Sequence, residues 1–466
     1  MAIKRYTANA DNTITNAFEA NLQTRGTGSN MGESDILETF TIYGQANSSS
    51  LEQSRVLINF PVSEISADRA SGDIPASGSV SFFLRVHNAP HGQTLPKNYD
   101  LSILAVSRSW DEGFGLDMES YSDEGTSNWI YSSTGQTWDT QGGDYHTEPA
   151  YSQHIETGTE DIEVDISHLV EEWLASTKSS HGVGIEISSS YVSLPRSFYT
   201  KKFFARGSEY MYLRPKIEAR WDSTTKDRRN SFYASSSLVP AADNLNTLYI
   251  YNKVRGQLQD IPAIGTGEMS MSLYYGESTG PVGTVLATAT AGWVSTGIYS
   301  SSIAIDTTSS YLYDVWHDGA GTEYVTGSQI SVRSFLTNTA VDTGEYVSNI
   351  TNLKEKYTTS ETARMRMFVR DKDWNPTIYT VATTNIETKV IEDAYYRVFR
   401  VADDFEVIPY GTGSLNHTRM SYDKDGNYFD VDMSLFEEGY SYGIKVAYKS
   451  NNNFNEQPEL FKFRVE

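Results

Sequence analysis

Alternating apolar and polar residues predict β-strands along most of the chain. Three segments show one apolar face each: Val56, Ile58 and Phe60; Val80, Phe82, Leu84 and Val86; and Ile217, Ala219 and Trp221. Period-two alternation with a single apolar face is typical of antiparallel strands in a β-sandwich. Turn residues separate the alternating segments, as they do in sandwich proteins. The pattern therefore predicts an all-β fold.

One stretch has helical spacing instead. Leu169, Val170, Trp173 and Leu174 recur on one face of HLVEEWL, directly after the strand pattern DIEVDIS. Ser167 is placed to cap this helix by accepting a backbone N–H bond. We expect one short helix that closes an end of the sandwich, with Trp173 as a plug. The alternative is that Trp173 binds a ligand.

Two polar stretches divide the chain. DSTTKDRRNS (Asp222 to Ser231) follows the last strand of the first region, and TNTAVDTGEY (Thr337 to Tyr346) follows a second strand-rich block. Polar linkers of this kind are typical of domain boundaries. We therefore predict three domains, residues 1–225, 226–346 and 347–466, with the last two as smaller, immunoglobulin-like β-sandwiches.

Composition excludes several classes of function. Among 466 residues, 60 acids stand against 37 bases, a net charge of −23, which disfavours binding to nucleic acid. Cysteine is absent, so disulfides, thiolate zinc sites and cysteine nucleophiles are excluded. No apolar run approaches the roughly 18 residues of a membrane span, so we expect no membrane insertion. The start lacks a signal-peptide pattern, and we expect assembly in a cytoplasm.

An acidic, glycine-containing segment is the candidate metal site. SWDEGFGLDMESYSDEG contains six carboxylates whose oxygens suit calcium: Asp111, Glu112, Asp117, Glu119, Asp123 and Glu124. Their spacing does not match an EF-hand loop. A solvated surface loop is the alternative, and we expect no other cofactor.

Aromatic residues are crowded in the next segment. They are Trp110, Trp129, Tyr131, Trp138 and Tyr145. Flat aromatic faces stack on sugar rings, so Trp110, Trp129, Tyr131 and Trp138 are candidates for glycan binding. The alternative is that these tryptophans anchor long loops to a core.

A row of arginines marks the third domain. Arg364, Arg366 and Arg370 share one strand parity, and Met365, Met367 and Val369 share the other. The apolar side should face a core, so the arginines should face outward on an otherwise acidic protein. They are candidates for docking onto an acidic partner subunit. The alternative is a face neutralised by acids of the same chain.

No arrangement of residues indicates an enzyme. YYGESTG matches the G-x-S-x-G pattern, but Pro281 and Gly283 follow where a nucleophile elbow needs a helix. The stretch is typical of a hairpin turn, and Ser278 is not expected to be catalytic. A carboxylate pair for glycoside hydrolysis cannot be selected among so many acids.

The first domain resembles the DNRLRE-type jelly roll, a relative of carbohydrate-binding modules. The matching pieces, in order, are ADNTITNAF, SRVLINFPVSEI, SVSFFLRV, ILAVSRSWDEG, VDISHLVEEWL, HGVGIEIS and LRPKIEARW. The resemblance implies an N-terminal jelly-roll sandwich, and it adds to the expectation of structural calcium. The arginine–phenylalanine pair usual in the family is Asn59–Phe60 here.

The third domain resembles structural proteins of tailed phages of marine bacteria, of the cyanophage type. The strings that carry this resemblance are ITNLKEKYTTSETARMRMFVRDKDWNPTIYTV, IEDAYYRVFRVADDFEVIPYGTG and GNYFDVDMSLFEEGYSYGIKVAY. It implies a virion structural protein, a fibre, neck or tail-associated component assembled in the host bacterial cytoplasm. Its partners would be other virion proteins and copies of itself. The alternative is a module of the virion that binds a glycan or receptor on the host surface.

Overall fold

The computed structural model describes residues 2–43, 51–92, 95–118, 126–192, 194, 197–277, 280–335, 345–372, 388–450 and 453–466. The chain forms two compact units, Ala2–Asp222 and Ser223–Glu466. The regular secondary structure of both units is mostly β-strand, so the prediction of an all-β fold is confirmed.

The first unit contains thirteen of the described strands and both described α-helices. The strands are β1 (Ile3–Thr7), β2 (Ala10–Thr15), β3 (Ile36–Tyr43), β4 (Leu51–Asn59), β5 (Ser81–Val86), β6 (Tyr99–Val106), β7 (Tyr131–Ser133), β8 (Gln136–Thr137), β9 (Tyr145–Ile155), β10 (Ile162–Asp165), β11 (Val183–Ile187), β12 (Phe198–Phe204) and β13 (Lys216–Arg220). The helices are α1 (Val62–Ser71) and α2 (Ser167–Leu174).

Two sheets of the first unit enclose its core. One is four-stranded, in the order β1-β13-β5-β10, and the other is seven-stranded, in the order β12-β3-β4-β11-β6-β9 with β2 beside β4. Phe82 and Leu84 of the smaller sheet share one fully buried cluster with Ile103 and Ile185 of the larger sheet. This is a jelly-roll-like sandwich, held by apolar burial.

The predicted helix is present as α2, and its apolar face is buried. Leu169 and Val170 are inaccessible to solvent, and Trp173 is only 4% exposed within the core of the first unit. The predicted cap is wrong, because Ser167 lies inside the helix. Its Oγ accepts the N–H of Phe82 at 2.8 Å and donates to Asp165.

The prediction of a single helix is also wrong. Helix α1 follows β4 directly, with Pro61 at its N-cap and the left-handed Gly72 at its C-cap. Ile65 is its one fully buried residue, so α1 lacks the apolar stripe by which amphipathic helices are recognised in a sequence. Arg69 near its end joins it to α2 through two bonds of 2.7 Å to the carboxylate of Glu171.

The second unit contains the remaining described strands. They are β14 (Phe232–Tyr233), β15 (Asn246–Tyr251), β16 (Lys253–Val254), β17 (Gln257–Leu258), β18 (Met269–Glu277), β19 (Gly280–Ser295), β20 (Ile298–Ile303), β21 (Tyr311–His317), β22 (Glu323–Thr326), β23 (Ile330–Arg333), β24 (Tyr346–Ile350), β25 (Lys356–Tyr357), β26 (Thr362–Asp371), β27 (Ala394–Arg400), β28 (Glu406–Ile408), β29 (Ser421–Asp423), β30 (Gly426–Asp432), β31 (Ser441–Ser450), β32 (Asn453–Glu456) and β33 (Phe461–Val465).

The strands from β14 to β23 build one eight-stranded, barrel-like sheet and a small hairpin. The sheet runs β14-β23-β21-β18-β19-β20-β15, with β22 beside β21, and β16 pairs with β17. Met271, Leu273, Tyr299 and Trp316 are fully buried inside it.

The strands from β24 onward form a sandwich. Its sheets have the orders β24-β26-β30-β29 and β25-β33-β31-β27-β28, with β32 beside β31. Tyr396 of one sheet stacks on Phe429 of the other at 4.1 Å between ring centroids. Met365 and Met367 are buried, so the predicted apolar parity of β26 does face a core.

The polar stretch predicted as the first linker is largely built into the second unit. Asp227 is buried and donates its backbone N–H to Tyr422 O at 3.0 Å, and the Arg229 guanidinium contacts Asp227 and Asp314. The two compact units divide between Asp222 and Ser223, while a division near residue 346 stays a prediction. No helix among the described residues is long and apolar enough to cross a membrane.

Candidate interaction surface

The acidic segment proposed for calcium is only partly within the described residues. Asp111 and Asp117 are exposed and Glu112 is half-buried, whereas Glu119, Asp123 and Glu124 lie outside the described residues. The Arg206 guanidinium binds both oxygens of Glu112 at 2.9 Å, and the Asp11 N–H also donates to Glu112 at 2.8 Å. Across the described ranges, no group of three or more histidine or acidic side chains is arranged to hold a metal. Calcium binding by the six carboxylates stays a prediction.

The side chain of Asn30 makes four hydrogen bonds to backbone groups in and around the described part of this segment. Asn30 donates to the carbonyls of Glu112 and Ser127, at 2.7 and 2.8 Å, and accepts the N–H groups of Gly32 and Gly115. These bonds satisfy backbone groups that would otherwise be buried without partners. Protein hydrogen bonds therefore hold the loop around Glu112.

Beside this loop, Asp11 is the carboxylate whose pKa departs most from its ordinary value. It is inaccessible to solvent, and its Oδ2 accepts the backbone N–H of Arg206. Burial raises the pKa of Asp11 to about 7, and the nearby charge of Glu112 acts in the same direction. The sequence did not indicate Asp11 as a site residue. Its burial depends on the packing of the segments around Glu112 and Arg206 against strand β2.

The predicted glycan-binding aromatics divide into buried and accessible residues. Trp129 and Trp138 are 5% and 4% exposed and form a second apolar cluster with Ile14, Leu57 and Val106. Trp110 packs against that cluster and donates Nε1–H to His181 O at 2.9 Å. Tyr131 remains 36% exposed. The burial of Trp129 and Trp138 supports the loop-anchor alternative for these two, and glycan binding by the set stays a prediction.

The arginine row has partners in its own chain. Arg364 binds Asp430 through two bonds of 2.8 and 2.9 Å, and Arg366 binds Asp423 through bonds of 2.8 and 2.7 Å. Both guanidinium groups also lie over the ring of Tyr428, at 4.4 and 5.2 Å from its centroid. Arg370 donates to the carbonyl of Asp371 at 3.3 Å. This geometry supports the neutralised-face alternative, while docking by Arg364, Arg366 and Arg370 stays a prediction.

An exposed aromatic pair lies elsewhere on the first unit. Phe198, at the start of edge strand β12, is 68% exposed and stacks on Tyr199 with planes 9° apart and centroids 6.2 Å apart. Tyr191 packs edge-on against Tyr199 and donates its hydroxyl to Asp100 at 3.2 Å. Phe198 thus presents an exposed ring, and Tyr191 links its neighbour Tyr199 to the carboxylate of Asp100, a combination that no sequence motif indicated.

Strand β19 has an open edge over much of its length. Residues 280–291 pair with β18, but β20 pairs with β19 only from Ala291 onward. Within the described residues, no strand covers the outer edge of residues 280–289. Glu277 pairs with Gly280, consistent with the predicted hairpin, although Ser278 lies outside the described residues.

Exposed apolar side chains lie on β19 and on its neighbour β18 near the open edge. Tyr275, Val282 and Val285 are 43%, 36% and 45% exposed, all near the end of the hairpin formed by β18 and β19. Pro281 and two register shifts near Tyr274 interrupt the regular ladder there, and such features discourage uncontrolled pairing between sheet edges. We refer to Tyr275, Val282 and Val285 as the hairpin patch.

A serine–histidine pair in the same sheet does not form a nucleophile and base. Ser272 Oγ lies 2.9 Å from His317 Nε2, but His317 Nδ1 accepts the N–H of Gly319 at 3.0 Å. Nδ1 is therefore the unprotonated nitrogen, and Nε2 carries the proton that it donates to Ser272. In this tautomer the ring cannot accept the serine proton.

No protein-family model matches the chain, and the search of curated proteins found no match.

Proposed function

We propose that the chain is a structural component of a phage virion, a fibre, neck or tail-associated protein that acts through protein–protein assembly. The virion assignment rests on the resemblance of residues 350–448 to phage structural proteins. The observation that supports assembly is the hairpin patch, where a 16-residue strand, β19, leaves one edge and several apolar side chains uncovered. Exposed apolar groups grouped in this way mark interaction sites in soluble proteins.

The hairpin patch suits a protein partner better than a small ligand. Its three side chains are exposed near the end of a pair of strands, whereas small-molecule sites are concave. A partner that covers Tyr275, Val282 and Val285 would bury apolar surface at roughly 25 cal/mol per Å². The candidate partners are other virion proteins and further copies of this chain.

Mass spectrometry of purified virions tests the assignment, because a structural component must be present in the particle. Virions are then assembled with the double variant Val282→Asp and Val285→Asp, which should be excluded. Leu238→Asp is the matched control, since Leu238 is 67% exposed in a loop before β15 and should be incorporated normally. Absence of the wild-type chain from virions contradicts the proposal. Normal incorporation of the double variant contradicts only the role of the hairpin patch.

Glycan or receptor binding is the second candidate, and the stacked pair Phe198 and Tyr199 favours it. The exposed Phe198 ring offers apolar stacking to a sugar ring. The carboxylate of Asp100, which Tyr191 links to Tyr199, offers a hydrogen-bond acceptor. A glycan array probed with the whole protein tests this function. Binding that is lost in Phe198→Ala and kept in Tyr131→Ala would favour this pair over the aromatic segment predicted from the sequence.

A further inference from the structure

A lysine amine and an asparagine amide meet between the two sheets of the first unit. Lys201 of β12 lies in the seven-stranded sheet, and Asn88 follows β5 of the four-stranded sheet. Lys201 Nζ is 2.6 Å from Asn88 Oδ1 and 2.9 Å from Gly158 O. The side chains belong to segments far apart in sequence, and they are in direct contact across the sandwich.

Backbone contacts hold this pair in place. Asn88 forms a bridge with Phe203, Ala89 N donates to Lys202 O at 3.0 Å, and Phe204 N donates to His87 O at 3.1 Å. Asp161 accepts the backbone N–H of Asn88 at 2.8 Å through one oxygen and contacts His87 Nδ1 at 2.8 Å through the other. The backbone at Asn88 is therefore held next to β12.

The surroundings of Lys201 favour its neutral, nucleophilic form. The residue is 1% exposed, so loss of hydration disfavours its ammonium form, although Nζ also lies 5.6 Å from the centroid of the Phe203 ring, a contact that favours the charged form. Burial lowers the pKa of Lys201 to about 8, although the charges of Glu160 and Asp161 act in the opposite direction. A substantial fraction of the amine is thus unprotonated in mildly alkaline solution. An unprotonated lysine amine is a nucleophile toward carbonyl carbon.

We propose that Lys201 and Asn88 form an intramolecular amide bond that joins the two sheets of the first unit. The lone pair of Nζ attacks Cγ of Asn88, and the carbonyl electrons move to Oδ1. One proton passes from Nζ to Nδ2, the bond from Cγ to Nδ2 breaks, and ammonia leaves. The product is a secondary amide between the side chains, and no oxidant, metal or second substrate is consumed.

Two physical features make this reaction feasible in the fold. Holding the reacting groups in contact replaces a bimolecular encounter by an intramolecular step, which raises effective concentration by orders of magnitude. Asn88 is only half-buried, so ammonia can leave to solvent and the step is driven forward. In a chain without cysteine, such a bond would restrict the unfolded state as a disulfide does.

The intact mass of the full-length protein tests the proposal. Wild-type protein incubated at mildly alkaline pH should become lighter by one ammonia, and tryptic digestion should give one peptide pair joined through Asn88 and Lys201. Lys201→Arg, which keeps the positive charge but lacks the amine, should retain the full mass. The matched control is Lys202→Arg, because Lys202 is the neighbouring, more exposed lysine that pairs with Glu38; this variant should still lose ammonia.

The first decisive outcome is measured on wild-type protein, so it does not depend on the stability of a variant. A wild-type mass that stays equal to the unmodified sequence overturns the proposal. Loss of ammonia with fragment ions that place it in a succinimide, or a loss that persists in Lys201→Arg, also overturns it. Joined peptides that contain both residues support it.

Discussion

The side-chain amide of Asn246 hydrogen-bonds both backbone groups of Tyr233. Its Oδ1 accepts the Tyr233 N–H at 2.9 Å, and its Nδ2 donates to the Tyr233 carbonyl at 2.8 Å. Asn246 begins β15 and Tyr233 ends β14, the two ends of the eight-stranded sheet. The Asn246 side chain thus makes the hydrogen bonds that a neighbouring strand would make, and it connects the two edge strands of the sheet. The backbone N–H and carbonyl of Tyr233 therefore both have partners.

Replacing this amide should destabilise the second unit. Asn246→Ala leaves the N–H and carbonyl of Tyr233 without their partner at a position where Asn246 is only 2% exposed. We expect the free energy of unfolding to fall by about 2–3 kcal/mol, measured by urea denaturation. Asn453→Ala, on the exposed strand β32, is the control and should change little. Equal stability of the two variants would show that water replaces the amide at no cost.

Trp173 provides a test of packing in the first unit. Trp173→Ala removes a buried ring from the core of the jelly-roll-like sandwich, and we expect a loss of about 3–5 kcal/mol. Met211→Ala is the control, because Met211 is 70% exposed. Thermal unfolding followed by circular dichroism compares the two. Unchanged melting of Trp173→Ala together with lost ligand binding would favour the binding alternative.

The pKa of Asp11 predicts an unusual dependence of stability on pH. An aspartate in the unfolded chain has a pKa near 3.9, whereas burial raises that of Asp11 to about 7 in the fold. Between these pH values the folded chain holds a proton that the unfolded chain has lost. Stability must therefore decrease as pH rises from about 4 to 7, by up to about 4 kcal/mol from this group.

The variant Asp11→Asn isolates this contribution. His87 acts in the opposite direction, because burial lowers its pKa to about 4 and favours stability at higher pH, but it is common to both proteins. We expect the free energy of unfolding of Asp11→Asn minus that of wild type to increase from pH 4.5 to pH 7.5, because only wild type must ionise a buried carboxyl group. Parallel pH profiles would show that Asp11 stays ionised in the fold.

Much of the fold follows from the local sequence pattern, whereas the surroundings of the candidate site residues depend on contacts between distant segments. Period-two alternation identified the strands, and 3.6-residue spacing identified α2, because both record which face is buried. Helix α1 was not predicted, because its single fully buried residue, Ile65, produces no periodic pattern of apolar residues. The crowding of Trp129 and Trp138 was visible, but their burial depends on the second cluster that their loop forms over Leu57.

Contacts between distant segments set the remaining features. Lys201 meets Asn88 only because the bridge of Asn88 to Phe203 joins the two sheets. The open edge of β19 exists because β20 pairs only with its last residues. Neither the contact of Lys201 with Asn88 nor the open edge of β19 can be predicted from residue spacing, because each depends on where another strand begins or ends.

Variants of the ion pair Arg366–Asp423 can distinguish a contribution of Arg366 to stability from a role of Arg366 in docking. The pair is bidentate and partly shielded, with the side chains 28% and 16% exposed. Arg366→Ala should cost about 1–2 kcal/mol, because Asp423 loses both guanidinium bonds and keeps the backbone N–H of Asp425. The cost stays moderate because solvent screens part of the effect. Arg464→Ala is the control, since that side chain is 49% exposed and should contribute little.

The exchanged pair Arg366→Asp with Asp423→Arg then tests the docking prediction. It keeps an internal ion pair but reverses the charge at each position, so stability measured by urea denaturation should recover in part, as in a double-mutant cycle. A partner that binds the arginine row would no longer meet a positive charge at position 366. Recovered stability with lost incorporation into virions would assign Arg366 to docking. Recovered stability with normal incorporation would leave it as an internal partner of Asp423, which is the outcome that the observed geometry favours.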